Sequence, residues 1–225
     1  MRFAALRACS FVDWPGRLAA VVFTQGCNLA CRYCHNPSLV PGAPAPVPGE
    51  AVLAHLEARR GLLDGLVVTG GEPTLHPALP AFLARVKARG FAVKLDTNGS
   101  SPDAVGALLA AGLVDYLAVD VKTVPAAAAW LTGAADQPRR ARRCLELALE
   151  GGVDHEARTT VAATLHDAAH LAALACWVRG ARRWALQRCR PGGHLDPGAG
   201  LVAPDDALLR EVAAAAGREV EVDVR

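Results

Sequence analysis

The chain has little net charge, almost no lysine and no long apolar run, and each shortage narrows the class of protein. Lys and Arg number 24 against 22 Asp and Glu, and so small an excess does not indicate a nucleic-acid partner. No run approaches the roughly 20 apolar residues of a membrane span. Arg2, Arg7 and Asp13 interrupt the amino terminus, where a signal peptide needs an apolar core. We therefore expect a soluble, cytoplasmic protein that binds neither nucleic acid nor a membrane.

Apolar residues, by contrast, are plentiful. They make up 52% of the 225 residues, which excludes disorder as the main state and predicts a compact fold. We find no internal repeat and expect a single domain over residues 1–225. Arginine outnumbers lysine by 21 to 3, so Lys87, Lys94 and Lys122 mark positions that favour a compact ammonium group.

Three of the seven cysteines are crowded into eight residues, and their spacing is the most informative feature of the sequence. An odd number of cysteines without a secretory signal argues against a disulfide framework. Cys27, Cys31 and Cys34 form a C-x3-C-x2-C loop whose thiolates can converge on one centre. Structural zinc sites close with four ligands, whereas a three-cysteine iron–sulfur cluster leaves one iron free to bind another group. The spacing therefore favours an iron–sulfur cluster.

Zinc is the alternative that this spacing leaves open. In that case a fourth ligand would come from His35 or from one of the remaining cysteines, which are Cys9, Cys144, Cys176 and Cys189. We interpret these four cysteines as buried small apolar residues instead, and we assign them no role.

Short apolar runs alternate with alanine-rich or amphipathic stretches, a pattern typical of βα units that build a parallel sheet. The predicted strands are residues 18–24, 66–69, 91–96, 116–121, 156–162 and 184–187, with an edge run at 219–224. A closed eight-stranded barrel typically needs about 250 residues. Six units fit the present length, so we predict an α/β fold, a partial (β/α)6 TIM-like barrel with parallel strands.

Capping residues predict where several helices begin and end. Ser101 and Pro102 would start a helix that stops before Gly112, and another helix would cover residues 137–150. Asp167 would cap a helix that reaches residue 178, and Pro204 would open the last helix. The proline-rich residues 41–49 should form an extended connection within the domain.

Polar residues follow the predicted strands at the points where the strands end. The carboxyl ends of the strands carry the active site in parallel α/β folds, so these residues are candidate site residues. They are Gly70, Gly71 and Glu72, then Asp96, Thr97 and Asn98, then Asp120 and Lys122, and finally Arg158.

Each candidate has a chemical use and a structural alternative. Two glycines let the backbone approach a ligand closely, although a Gly-Gly pair is also a plain turn. Glu72 could accept hydrogen bonds from a ligand ammonium. Asp96 and Asp120 would repel each other unless a cation or Lys122 lay between them, and they could equally cap helices or form an ion pair. Arg158 could bind a carboxylate with its guanidinium fork or be structural.

The order and spacing of these pieces resemble the radical S-adenosylmethionine (SAM) superfamily. The resemblance covers nearly the whole chain and rests on residues 10–16, 23–27, 34–37, 69–74, 96–99, 120–122, 158–161, 165–167, 186–187 and 190–192. Within the superfamily the chain is most similar to the glycyl-radical-enzyme activating proteins, and among these to the activators of anaerobic ribonucleoside-triphosphate reductase. Residues 187–190 read QRCR, where a pyruvate formate-lyase activating enzyme would have a histidine, and this favours the reductase activators.

The resemblance implies a 4Fe-4S cluster on Cys27, Cys31 and Cys34, whose free iron chelates the amino and carboxylate groups of SAM. It also divides the rest of SAM among the candidate residues, with Gly70, Gly71 and Glu72 at the methionine end, Asp96, Thr97 and Asn98 near the ribose, the Tyr33 backbone at the adenine, and Lys122 and Arg158 beside the carboxylate. In similar activating enzymes the counterparts of Asp96, Thr97 and Asp120 hold a monovalent cation, and we expect such a site here.

The activity that the resemblance implies is that of a radical SAM oxidoreductase. One electron from the reduced cluster cleaves SAM to a 5'-deoxyadenosyl radical, which takes a hydrogen atom from a glycine of a partner enzyme. The expected partners are a glycyl radical enzyme, first of all anaerobic ribonucleoside-triphosphate reductase, and a flavodoxin- or ferredoxin-type electron donor. The alternatives are pyruvate formate-lyase activation, a small-molecule substrate, and a non-catalytic zinc or iron–sulfur module. The arginines at 139, 140, 142 and 143 either dock an acidic partner or form a solvated face.

Overall fold

Parallel strands dominate the structure, a computed structural model that describes residues 1–41, 44–190, 192–217 and 220–225. The strands are β1 (Arg2–Phe3), β2 (Ala5–Ser10), β3 (Ala19–Thr24), β4 (Val47–Pro48), β5 (Gly65–Gly70), β6 (Ala92–Thr97), β7 (Tyr116–Asp120), β8 (Asp154–Val161), β9 (Arg183–Arg188) and β10 (Glu221–Val224). The helices are α1 (Gly49–Glu57), α2 (Leu79–Lys87), α3 (Pro102–Ala110), α4 (Pro125–Thr132), α5 (Gln137–Glu150), α6 (Ala168–Val178) and α7 (Asp206–Ala216). None of these helices is long and apolar enough to cross a membrane.

Eight strands form one sheet in the order β10-β9-β8-β7-β6-β5-β3-β2. Every neighbouring pair is parallel except β2 and β3, which are antiparallel. The strands β2 and β10 stand at the two ends of this order, so the sheet does not close on itself. Helices follow β3, β5, β6, β7, β8 and β9 along the chain. The prediction of a partial barrel with parallel strands is confirmed.

The strands are apolar over most of their length because helices cover one side of the sheet and the barrel interior fills the other. The central strands contribute Val22, Val68, Leu95 and Val119 to the main core, and these side chains are fully buried. Since parallel strands all end on the same side, the loops after them meet at one edge of the sheet. This edge contains the candidate site residues.

Most helix boundaries follow the capping residues in the sequence. The helix α5 covers the predicted residues, and the Asp167 side chain accepts a hydrogen bond from the His170 amide at 2.7 Å. Ser101 precedes α3 as expected, although its side chain makes no capping bond. The last helix begins at Asp206, two residues after the predicted Pro204, because the Asp205 side chain caps it and accepts a hydrogen bond from the Leu208 amide at 2.7 Å.

Several short elements, among them β1, β2, β4 and α4, were not predicted. The edge strand β2 is mostly exposed and lacks an apolar run, and α4 is only 8 residues long. Within the predicted connection at 41–49, β4 pairs with β1 and α1 already begins at Gly49, while residues 42 and 43 lie outside the described residues. The predicted edge run at 219–224 corresponds to β10, and Glu219 also lies outside the described residues.

Candidate functional site

The three crowded cysteines lie in the loop that follows β3 and face one cavity. Backbone hydrogen bonds hold this loop on both sides: the Gly26 amide donates to the Leu39 carbonyl at 2.8 Å, and the Ala30 amide donates to the Thr132 carbonyl at 3.0 Å. The cavity has a volume of about 180 Å³, and Cys27, Cys31 and Cys34 all line it. The thiols can therefore act on one bound group.

Burial controls the chemistry of these thiols. It raises the pKa of Cys31 to about 11, against the opposing charge of Lys122 and with a further increase from Cys27 and Cys34. Burial also raises the pKa of Cys27, whose sulfur receives the Leu29 amide at 3.5 Å and the Asn98 side-chain amide at 3.7 Å. Without a metal the two thiols therefore stay protonated at neutral pH. A metal that replaces their protons would meet N–H donors already directed at the sulfur of Cys27.

Gly70 and Gly71, at the end of β5, line the cavity and also lie against the backbone of Thr24 and Gly26. Both line the cavity, as expected of residues that let a ligand come close. Gly70 has a φ of +120°, and a Cβ atom there would lie 2.3 Å from the Thr24 amide nitrogen. A Cβ atom on Gly71 would lie 1.9 Å from the Gly26 carbonyl oxygen. The pair thus lets the end of β5 pack directly against the start of the cysteine loop.

Glu72 occupies a different place from the one expected of a ligand-ammonium acceptor. Its side chain is fully buried and does not line the cavity. Its oxygens accept hydrogen bonds from the Thr74 amide and hydroxyl, the Thr97 hydroxyl and the Asn98 amide, at 2.6–3.0 Å. Burial raises the pKa of the carboxyl, which these bonds oppose. The hydrogen bond between Glu72 and Thr97 joins the ends of β5 and β6. Of Glu72, Thr97 and Asn98, only Asn98 lines the cavity.

The two aspartates are separated by a cation, and that cation is Arg158. Its guanidinium contacts Asp96 at 2.7 Å and Asp120 at 2.9 Å, and Lys122 contacts the other oxygen of Asp120 at 2.9 Å. Burial alone would raise the pKa of both carboxyls, but Arg158 with Lys94 or Lys122 lowers them, that of Asp120 to about 2. The space between the carboxylates, where a monovalent cation was expected, thus contains a guanidinium, and Asp96 does not line the cavity.

The charges that do line the cavity leave a positive excess. Lys122 and Arg158 face it together with a single carboxylate, that of Asp120. Burial lowers the pKa of both basic groups, but the nearby Asp120 raises it above the ordinary value, so both stay charged. An anionic ligand group would be stabilised here.

Tyr33 lies within the wall of the cavity. Its side chain is 4% exposed, and its buried hydroxyl has no hydrogen-bond partner among the described residues. Burial raises the pKa of that hydroxyl far above the ordinary value. The Lys122 ammonium lies 5.9 Å from the ring centroid. Together with Leu29, Cys31, Leu131 and other buried residues, Tyr33 forms an apolar cluster around the cysteines.

Sequence reasoning gave no part in the site to several residues that shape this edge, although it singled out Lys94 as one of three lysines. Lys94 is 1% exposed, contacts Asp96 at 2.8 Å and donates to the Asp13 carbonyl at 2.7 Å. Gln137 at the start of α5 donates to the carbonyls of Asn98 and Asp120, both at 2.8 Å. Lys94 could have been found, because a lysine in the middle of an apolar strand needs a buried partner. Nothing in the sequence singles out Gln137.

The four remaining cysteines divide into two pairs. Cys144 and Cys189 are buried, as expected of small apolar residues, whereas Cys9 and Cys176 are exposed. The expectation is wrong for the exposed pair because both lie on outer faces, Cys9 on the edge strand β2 and Cys176 on α6.

The residues present fit a group that combines a metal and an anion. Three cysteines supply thiolates to one cavity, the adjacent wall has a positive excess, and a buried tyrosine hydroxyl is without a partner. Three cysteine ligands leave a position for a second molecule on an iron–sulfur cluster. The fold and site therefore define an α/β partial barrel with a three-cysteine cavity, which fits an iron–sulfur centre, at the carboxyl ends of its strands.

Comparison with known proteins identifies the family. The model of the radical SAM superfamily matches residues 21–168, and the chain belongs to this superfamily. The chain is therefore of the radical SAM type, a class of enzymes that uses a 4Fe-4S cluster and SAM. The structure of SuiB from Streptococcus suis, solved with its precursor peptide SuiA, superposes with a TM-score of 0.73 at 15% identity, covering 91% of this chain and 48% of SuiB. At that identity the likeness shows the fold.

Curated relatives are similar over about half of the chain or less. A Methanocaldococcus jannaschii protein with the provisional name glycyl-radical enzyme activating enzyme is 38% identical over 50% of this chain and 47% of its own length. The 7-carboxy-7-deazaguanine synthase of Methanopyrus kandleri is 35% identical over 48% of this chain and 50% of its own length. The pyruvate formate-lyase-activating enzyme of Staphylococcus aureus is 36% identical over 39% of this chain and 37% of its own length. The matches thus span about half the length of these relatives or less.

Proposed function

We propose that this protein activates a glycyl radical enzyme, and that its partner is an anaerobic ribonucleoside-triphosphate reductase. The similarity to a relative named as a glycyl-radical enzyme activating enzyme supports the first part of the proposal. The second part rests on the motifs of the sequence, in particular the absence of a histidine from residues 187–190. A flavodoxin- or ferredoxin-type protein would supply the electron.

The observation that carries the proposal is the open side of the barrel. A cavity of about 920 Å³ is lined by Arg7 of the first edge strand and by Arg225 just after the last one. It shares His35, Asn36 and Thr160 with the cysteine cavity. A loop of a partner protein that enters between the two edge strands would therefore reach the residues beside the cysteines.

The residues of the chain have distinct tasks in this proposal. Cys27, Cys31 and Cys34 would hold the cluster, and Lys122 and Arg158 would bind the carboxylate of SAM through their positive excess. The buried residues around Cys31 exclude water from the cluster side of the cavity. When bound, the reduced cluster supplies the electron for cleavage of SAM, which leads to abstraction of a hydrogen atom from the partner's glycine. The remaining task of the fold is to hold that glycine close to the reacting carbon.

The test is direct activation of a purified reductase. The cluster-containing protein is incubated without oxygen with SAM, a reductant and an anaerobic ribonucleoside-triphosphate reductase, and the glycyl radical is followed by electron paramagnetic resonance. We expect a glycyl radical signal and one 5'-deoxyadenosine per radical. With a reductase whose radical glycine is replaced by alanine, we expect no glycyl radical signal. Equal or better activation of pyruvate formate-lyase would reassign the partner. Cleavage of SAM without a radical on either enzyme would contradict the proposal.

A small acidic substrate is the second candidate function. Four arginines line the larger cavity, of which Arg7, Arg188 and Arg225 form ion pairs with carboxylates and Arg190 adds a further positive charge. This charge would suit a carboxylated small molecule, and the similarity to a deazaguanine synthase agrees with it. The candidate requires that such a molecule stimulates 5'-deoxyadenosine formation when no partner enzyme is present.

A further inference from the structure

Beside the cysteine loop, three potential metal ligands from distant parts of the chain meet at one point. His35 directly follows the last cysteine of the loop, whereas Cys189 follows β9 and His194 lies in the next loop. One ligand atom from each of them lies within 4.8 Å of the other two. Cys189 is 1% exposed, His194 is 9% exposed and His35 is exposed. None of the tasks described above uses this trio.

The distances within the trio are those of a metal site. The two histidine Nε2 atoms are 3.1 Å apart, and the Cys189 sulfur lies 3.5 Å from His194 Nε2 and 3.8 Å from His35 Nε2. In tetrahedral zinc sites the bond lengths of about 2.3 Å to sulfur and about 2.0–2.1 Å to nitrogen place two nitrogens roughly 3.3 Å apart and sulfur roughly 3.6 Å from nitrogen. The three observed edges lie within a few tenths of an ångström of this triangle.

Hydrogen bonding within the protein accounts for the trio less well. The Arg190 amide donates to His35 Nε2 at 3.3 Å, so this nitrogen bears no proton. His194 Nε2 is directed at the same nitrogen, and the Cys189 thiol is a weak donor whose other neighbour, the Arg190 carbonyl, is 3.8 Å away. A metal bound at His35 Nε2 would replace this long hydrogen bond from the Arg190 amide.

The surroundings hold the ligands in place before any metal binds. The Leu195 amide donates to the Cys34 carbonyl at 3.2 Å, and the Asp196 amide donates to the Arg32 carbonyl at 3.1 Å. The side chains of Arg32 and Asp196 form an ion pair at 2.6 Å. The loop that carries His194 is therefore tied to the loop that carries His35, and little ordering remains to be done on binding.

We propose that His35, Cys189 and His194 form a zinc site separate from the cysteines that hold the cluster. Imidazole nitrogen and thiolate sulfur are ligands that zinc favours. Three protein ligands leave the fourth position to water or to a group that enters the cavity, because His35 and Cys189 line the larger cavity. The ion would clamp the loop after β9 to the cysteine loop, next to the opening through which a target would enter. Binding displaces the proton of the Cys189 thiol to solvent.

The test is made on the full chain after reconstitution of its cluster, so that Cys27, Cys31 and Cys34 are occupied. The protein is washed with a chelator, equilibrated with zinc and analysed for metal by mass spectrometry and for zinc ligands by X-ray absorption. We expect one zinc per chain in addition to the cluster iron, with one sulfur at about 2.3 Å and two imidazole nitrogens at about 2.0–2.1 Å. Failure to retain zinc, or a shell of three or four sulfurs, would overturn the proposal.

Variants place the zinc on the trio. Cys189→Ser and His194→Ala should lower zinc affinity by more than the roughly 100-fold that loss of an outer hydrogen-bond partner can cause. The controls Cys176→Ser and His55→Ala remove an exposed thiol and a half-buried imidazole elsewhere and should retain zinc. Unchanged affinity in either trio variant would overturn the proposal.

Cobalt binding provides a second measurement that is independent of the iron chromophore. The probe is Co²⁺, added to a chain in which Cys27, Cys31 and Cys34 are all replaced by serine and whose circular dichroism matches that of the parent. We expect a thiolate-to-cobalt absorption band that disappears when Cys189→Ser is added. Absence of the band in the triple variant would overturn the proposal.

Discussion

At the scale of single residues, Arg158 stabilises the carboxylates of Asp96 and Asp120 inside the barrel. Its guanidinium satisfies Asp96 and Asp120 at the same time, and its side chain is 13% exposed. Without this partner, Asp96 would keep only Lys94 and Asp120 would keep only Lys122, so the removal of the carboxylates from water would be less fully compensated. The sequence suggested that a cation should separate these aspartates, but it could not tell which cation, because the pairing of Asp96 with Arg158 depends on the register of two strands.

We predict that Arg158→Met lowers the free energy of unfolding by roughly 3 kcal/mol or less, because Asp96 and Asp120 each lose one of two basic partners and keep only Lys94 or Lys122. Chemical denaturation at neutral pH measures the loss. The control Arg85→Met removes an arginine whose partner, Glu50, is on the surface, and it should leave the stability nearly unchanged. A similar effect of the two substitutions would contradict this account of the interior.

His166 is a second residue with a consequence that can be measured. It is fully buried in the loop after β8, accepts the Ala162 amide at 3.2 Å and lies 3.3 Å from the Lys122 carbonyl. Burial, with a smaller effect of the neighbouring His170, lowers its pKa from 6.5 to about 4. Between these two values the unfolded chain binds more protons than the folded one. Stability from this residue is therefore complete above pH 6.5 and falls as the pH approaches 4.

Glutamine keeps a hydrogen-bond donor and an acceptor but cannot titrate. We therefore expect the His166→Gln variant to lose roughly 2–3 kcal/mol less free energy of unfolding than the parent as the pH falls from 6.5 to about 4. Urea denaturation of both proteins at several pH values gives the difference. An unchanged pH dependence in His166→Gln would contradict a buried, neutral imidazole.

At the scale of elements, the contact between the end of β5 and the cysteine loop is the decisive one. Gly71 touches the backbone at Gly26, and no side chain fits between them. The sequence indicated both the glycines and the cysteine loop. Their mutual contact could not be predicted, because it depends on how strands β3 and β5 pair. The elements β2 and α4 could not be predicted either, because they lack the apolar periodicity by which the other elements were recognised.

We predict that Gly71→Ala displaces the cysteine loop and lowers both the stability and the iron content of the reconstituted protein. The matched control is Gly106→Ala in α3, where a new Cβ atom would meet Leu147 at an ordinary 3.5 Å. This control should stabilise the protein by up to about 1 kcal/mol, because alanine favours a helix over glycine. Iron analysis and chemical denaturation measure both variants. Full iron content in Gly71→Ala would show that the loop does not depend on this contact.

The arginine-rich start of α5 is the element whose role stays a prediction. Arg140, Arg142 and Arg143 form ion pairs with acidic residues of the same helix or its cap. These pairs agree with a solvated face, which was one of the two interpretations. Docking of an acidic partner there would have to break them.

At the scale of the whole molecule, the open barrel brings distant parts of the chain to one edge. The alternation of strands and helices was enough to predict the parallel sheet, and the cysteine spacing was enough to predict the centre. The site beyond the cysteines was only partly predictable. Asn98, Asp120, Lys122 and Arg158 reach the cavity region as expected, but Glu72 and Asp96 are saturated by partners within the protein. Side-chain pairing across strands is a property of the register, which one sequence does not reveal.

The central claim is that the cavity holding Cys27, Cys31 and Cys34 performs radical SAM chemistry. The most direct measurement combines electron paramagnetic resonance of the anaerobically reconstituted, reduced protein with an assay for 5'-deoxyadenosine after addition of SAM. The account predicts a reduced 4Fe-4S signal that changes with SAM and formation of 5'-deoxyadenosine, both lost in Cys31→Ala and both kept in Cys176→Ala. The account would be contradicted if the protein incorporated no cluster. It would also be contradicted if the cluster signal did not change on addition of SAM and no 5'-deoxyadenosine formed.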